Sequence, residues 1–185
     1  MSGLIVPAGA GRRLTTKAQD VTFKATGADG SITSIFEVVV PPGFDVGAHS
    51  HGRSQEFFYV LEGALDLFAF EPTGRSGETW HDWESIDGDR VVHAGVGSCM
   101  FVPSGCPHAF RNSTDEPARM LFQSSPAPDH ERYFEEICEI FSAGRTVDPD
   151  AVQRLRDRYD VQQITPLRYE PPVRSHSSEL TRSGS

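Results

Sequence analysis

Two short stretches concentrate the residue types that bind metals. The first runs Gly43, His49, His51, Glu56, Gly63; the second runs Gly97, Pro103, Gly105, His108, Asn112. His49 and His51 are two apart, so on a strand both side chains face one side. A turn over residues 52–55 returns the chain, and Glu56 opens the next strand beside them. His108 opens a later strand after a Pro-x-Gly turn. Three imidazoles and one carboxylate, brought together inside a barrel, suit one divalent first-row transition metal ion. Four protein ligands leave one or two positions for water, a small-molecule substrate or dioxygen. The donor set does not choose among Fe, Mn, Ni, Cu, Co and Zn.

Short β-rich runs must carry these residues. They cover residues 31–40, 56–61, 64–70, 90–93, 98–102, 108–112 and 118–123, separated by Gly, Pro and Asp. Val, Ile, Phe and Tyr suit a pleated, half-buried surface, and strands at this spacing form an antiparallel sandwich or barrel. Gly43 and Gly63 fit tight turns at strand ends. Asn112 shares parity with His108 and is expected to satisfy backbone groups near the barrel end. Phe58 and Val60 share parity with Glu56, and Phe110 with His108, so all three line the interior. Met120 and Phe122 join them as candidate substrate-pocket residues, although their register is open. Such an apolar, aromatic wall suits a hydrophobic substrate with one or two oxygen donors.

Beyond Pro126 the period changes. Phe134, Ile137, Cys138 and Phe141 trace an amphipathic helix, with Asp129 as its N-cap and Gly144 as its stop. Asp148 and Pro149 open a second helix reaching Tyr159. The chain divides into a strand segment (1–30), a β core (31–125) with an inserted loop (71–89), a helical extension (126–170) and a disordered polar tail (171–185). His81, with Trp80 and Trp83, lies in the inserted loop, read as surface or a dimer contact, with a lid over the barrel mouth as the alternative. His93 ends a strand, His130 and His176 are solvated, Cys106 points away from the inner face, and Arg154, Arg156 and Arg158 form a solvated face.

Composition narrows the function. Lys and Arg number 17 against 26 Asp and Glu, a net charge of −9. That balance excludes a nucleic-acid or anionic-membrane binder. No apolar run is long enough to span a membrane, and no positive segment precedes the short apolar N-terminal stretch. Three cysteines, one necessarily unpaired, read as reduced thiols of a cytoplasmic protein.

Every defined position of the two stretches matches the paired motifs of the cupin superfamily, and the sequence over residues 31–124 resembles a cupin. The resemblance implies an all-β cupin jelly-roll barrel with one or two C-terminal helices outside it. It also implies a metal held by His49, His51, Glu56 and His108, and a homodimer. More narrowly, the run Leu121–Pro126 followed by Glu131–Glu136 is similar to single-domain bacterial quercetin 2,3-dioxygenases and to polyketide-pathway cupins. That likeness implies a dioxygenase acting on an enolisable or phenolic small molecule, with Glu56 as catalytic base. The same donors would serve a non-oxidative cyclase, isomerase or dehydratase. A metal-dependent binding protein without turnover is the third expectation.

Overall fold

The computed structural model describes residues 2–15, 20–75, 78–126, 130–142 and 149–170. Asp129, Gly144, Asp148, His176 and the tail 171–185 lie outside the described residues. The strands are β1 (Arg12–Thr15), β2 (Asp20–Ala25), β3 (Ser34–Val40), β4 (Phe44–Asp45), β5 (His49–Ser50), β6 (Gln55–Glu62) and β7 (Ala64–Ala69). They continue with β8 (Val92–Gly95), β9 (Cys99–Val102), β10 (His108–Arg111), β11 (Ala118–Ser125), β12 (Gln162–Gln163) and β13 (Arg168–Tyr169). Two helices, α1 (His130–Ser142) and α2 (Pro149–Arg158), precede the last two strands. No described helix is long and apolar enough to cross a membrane.

All strand pairings are antiparallel. One sheet runs β1-β2-β3-β11-β6-β9. In the other, β10 is flanked by β7 on one side and by β4 and β5 on the other. β8 extends that sheet beyond β7, while β12 and β13 extend it beyond β5 and β4. This is a jelly roll, and its core fills the space between the sheets.

Alternation sets the core in rungs across the first sheet. In β3, β6 and β11 every second residue is buried, as a strand with one wet face requires. Register then aligns the inward residues. Ser34, Ser124, Glu56 and Val102 form one rung. Phe36, Phe122, Phe58 and Met100 form the next, with Phe122 stacked on both Phe36 and Phe58 at 5.5 and 5.0 Å. Val38, Met120 and Val60 form a third. The interior therefore passes from polar to aromatic to aliphatic along the strands.

Glycine is required where backbone crowds. Gly63 turns β6 into β7 at φ 71°, and a Cβ there would lie 3.0 Å from Ala118 Cα. At Gly47, φ 73°, a Cβ would lie 2.4 Å from the Thr165 carbonyl oxygen, so the segment after β12 can press against the chain before His49.

The tryptophans of the inserted loop pack on the outside of the barrel. Trp80 and Trp83 are buried with Phe68, Ala48 and Ala109 on the outer face of the second sheet. Residues 48, 68 and 109 alternate with the inward-facing set, so their side chains need a cover of their own. Trp80 supplies it, and its Nε1 donates to Asp45 Oδ1 at 2.8 Å.

Candidate metal centre

His49, His51, Glu56 and His108 converge. One candidate ligand atom from each lies within 4.8 Å of every other, and all four residues are buried. Three strands place them. His49 pairs directly with His108 across β5 and β10, His51 follows β5, and Glu56 comes from β6 in the opposing sheet. The group thus spans the two sheets at one end of the sandwich. Cys106 is outside it, as its position in the turn requires.

Each imidazole is held from behind by a carbonyl. The Nδ1 atoms of His49, His51 and His108 lie 2.9, 3.0 and 3.1 Å from the carbonyl oxygens of Gly47, Asp160 and Cys106. A carbonyl only accepts, so Nδ1 carries the proton in all three rings. The Nε2 lone pairs then face the centre, the tautomer a first-row metal needs. Burial pushes His49 well below the usual histidine range, and the neighbouring His108 and His51 add to this. Burial lowers His51 as well. Glu56 moves oppositely to what its burial would cause, because His51, His108 and His130 together hold the carboxyl well below its ordinary value.

The residues fit a cation. Glu56 Oε1 is 3.2 Å from His51 Nε2, and Oε2 is 2.8 Å from His108 Nε2. The second contact is short but misaligned for a hydrogen bond, and His108 Nε2 is a buried nitrogen without a hydrogen-bond partner. A cation among the three lone pairs and the carboxylate satisfies all of them.

Around the centre, Phe58 lies 6.0 Å from the His108 ring, and Phe110 packs on Phe58 at 5.9 Å. Phe122 lies 5.7 Å from the His130 ring. Val60 and Met120, read from sequence as pocket residues too, lie in the third rung. Four residues along β6 separate Val60 from Glu56, about 13 Å. Asn112 has the structural role expected, since its Nδ2 donates to the carbonyls of Val40 and Glu116 and its Oδ1 accepts from Thr114. His93 contacts Asp66 at 2.7 Å.

His130 corrects the sequence reading. It is not solvated: it is 6% exposed, and its Nε2 lies 3.5 Å from Glu56 Oε1. It opens α1, and its ring packs against Phe36, Phe122 and Phe134. The periodicity of α1 held no signal for this, because one histidine at a helix start reads as polar. Arg156 departs from the solvated face as well, since its Nε is buried. His81 bridges Asp45, 2.7 Å from its Nε2, and Arg111.

Comparison with known proteins follows from this geometry. Residues 12–155 match the family model described as Cupin. The chain is a cupin. Among curated relatives of this cupin, "Polyketide synthase CurC" of Streptomyces cyaneus is 34% identical over 89 residues, 48% of this chain and 46% of CurC. "Protein SchB" of Streptomyces halstedii is 31% identical over 110 residues, 58% of this chain and 66% of SchB. This chain thus spans less than half of CurC and about two thirds of SchB. The polyketide cyclase RemF from Streptomyces resistomycificus superposes with a TM-score of 0.51 at 20% identity, covering 67% of this cupin and 80% of RemF. KdgF from Halomonas sp. gives 0.53 at 14% identity, covering 70% and 99%. At those identities the structural likeness shows the fold alone.

Proposed function

We propose that this cupin is a metal-dependent enzyme that closes rings on an enolisable, polyketide-type small molecule without consuming oxygen. The observation that carries the reading is the Glu56 carboxylate, held ionised at the meeting point of three imidazoles above an aromatic floor. The curated relative named for polyketide synthesis supports the substrate class.

A divalent metal held by His49, His51, His108 and Glu56 would supply Lewis acidity at a substrate carbonyl oxygen, making the adjacent C–H more acidic. Glu56 takes a proton from a methylene flanked by two carbonyls. The resulting carbanion attacks a ketone carbon further along the same chain, and a C–C bond forms. The new alkoxide takes the proton back from Glu56. Loss of that hydroxyl with a second α-proton releases one water. Glu56 can serve as base only if one of its oxygens stays loosely held. Phe58 and Phe122 exclude water and give the folded chain an apolar surface.

The test is a linear 1,3,5,7-tetraketone, in which a methylene flanked by two carbonyls can close a six-membered ring, offered to metal-loaded protein in an oxygen electrode cell with absorbance detection. Ring formation without oxygen uptake is expected, and Glu56→Gln should slow it by about 10²–10⁴-fold. Oxygen uptake matching substrate loss would assign the dioxygenase chemistry instead. Tight binding of the tetraketone without turnover would make the protein a binding module.

A further inference from the structure

The polar rung beside Glu56 contains a side chain that nothing in the fold uses. Ser124 is completely buried, and its hydroxyl has no hydrogen-bond partner among the described residues. Buried hydroxyls are almost always paired, because leaving one unpaired is costly. Ser124 is inward-facing on β11 and registers directly with Glu56 on β6. Directly opposed residues of an antiparallel pair share a face, with Cβ atoms about 5 Å apart. The orphan hydroxyl is therefore on the same inner face as the candidate base and next to it in register. Its other neighbour in the rung, Ser34, is directed to Glu131 at 3.5 Å.

We propose that Ser124 is a substrate-binding residue whose hydroxyl donates to a carbonyl or hydroxyl oxygen of the ligand next to the carbon that Glu56 deprotonates. This rests on the proposed enolisable substrate and refines it. The ligand must place one oxygen toward the metal and a second toward β11, as a 1,3-dicarbonyl unit does. A buried donor left unpaired in the ligand-free protein is paired on binding, so the site discriminates against analogues that lack the second oxygen.

The probe is acetylacetone, titrated into cobalt-loaded wild-type protein and Ser124→Ala, with the cobalt absorption bands as readout. Cobalt affinity and urea unfolding of the metal-free forms are measured in parallel. Ser124→Ala should bind acetylacetone about 3- to 10-fold more weakly. Its cobalt affinity should be unchanged, and its metal-free stability equal to or above wild type, since no structural hydrogen bond is lost. Equal acetylacetone affinity in both proteins overturns the proposal. Loss of metal-free stability in Ser124→Ala overturns it too, by showing a structural partner for the hydroxyl. Uptake of cobalt but not acetylacetone by wild type removes the enolisable-substrate reading and this proposal together.

Discussion

Burial of uncharged imidazoles ties the centre to pH. His49 and His51 titrate near 6.5 in an unfolded chain, and burial holds both lower in the fold. As pH falls through that value, the unfolded chain takes up protons that the folded chain refuses. Their contribution is complete above about pH 6.5 and is lost as pH falls toward the folded values. Glu56, held below 4.5, acts in the same direction at lower pH. Metal-free protein should therefore lose stability as pH falls from about 6.5 to about 5.5. Urea unfolding across that window checks it, and a flat or rising stability would contradict it. The residue types and spacing of this group were legible in the sequence because two-residue alternation and a short turn are local properties. His130 and the unpaired Ser124 hydroxyl were not, because each depends on what another segment does or does not bring near.

Elements outside the barrel hold its ligands in place. The α2 helix ends with Val161 N donating to Arg156 O at 2.9 Å, while Asp160 takes φ 61°. That left-handed position usually falls to glycine. Here the Asp160 carbonyl accepts from His51, and its carboxylate accepts from Arg53 N at 2.8 Å. The helical extension thus orients one candidate ligand through Asp160 and meets another, Glu56, through His130. On the opposite side, the loop 71–89 seals the outer face of the second sheet. Trp80→Ala should cost about 3–5 kcal/mol in a urea titration, because the indole is wholly buried and its cavity cannot fill. A loss under about 1 kcal/mol, the range of an exposed substitution, would show that the loop does not depend on this packing. Strand positions and inner faces were readable from alternation. The docking side of this loop was not, since Trp80 meets Ala48 and Ala109 only after the sheet forms.

At the scale of the whole molecule, the centre joins the two sheets. Glu56 belongs to one, His49 and His108 to the other. A bound ion therefore links halves of the sandwich that otherwise meet through apolar packing. Ligand at about 100 times its dissociation constant adds about 2.7 kcal/mol to folding. Zinc titrated to that level should raise the unfolding free energy of wild type accordingly and leave His108→Ala unmoved. An equal gain in both proteins would place the ion elsewhere.

The sequence by itself determined an antiparallel sandwich or barrel, the inward faces of its central strands and the four residues that could hold a metal. Those follow from the period of a strand, from turns built on Gly and Pro, and from donor chemistry, all short-range. Tertiary structure decided which tautomer each histidine adopts, since Gly47, Asp160 and Cys106 supply the carbonyls. It also decided that His130 closes on Glu56, that Val60 and Met120 lie in the third rung, and that Ser124 keeps a buried hydroxyl unpaired. Each of these is set by packing between strands, helices and loops far apart in the chain. A local pattern can say which way a side chain points, but only the assembled fold says what it meets there.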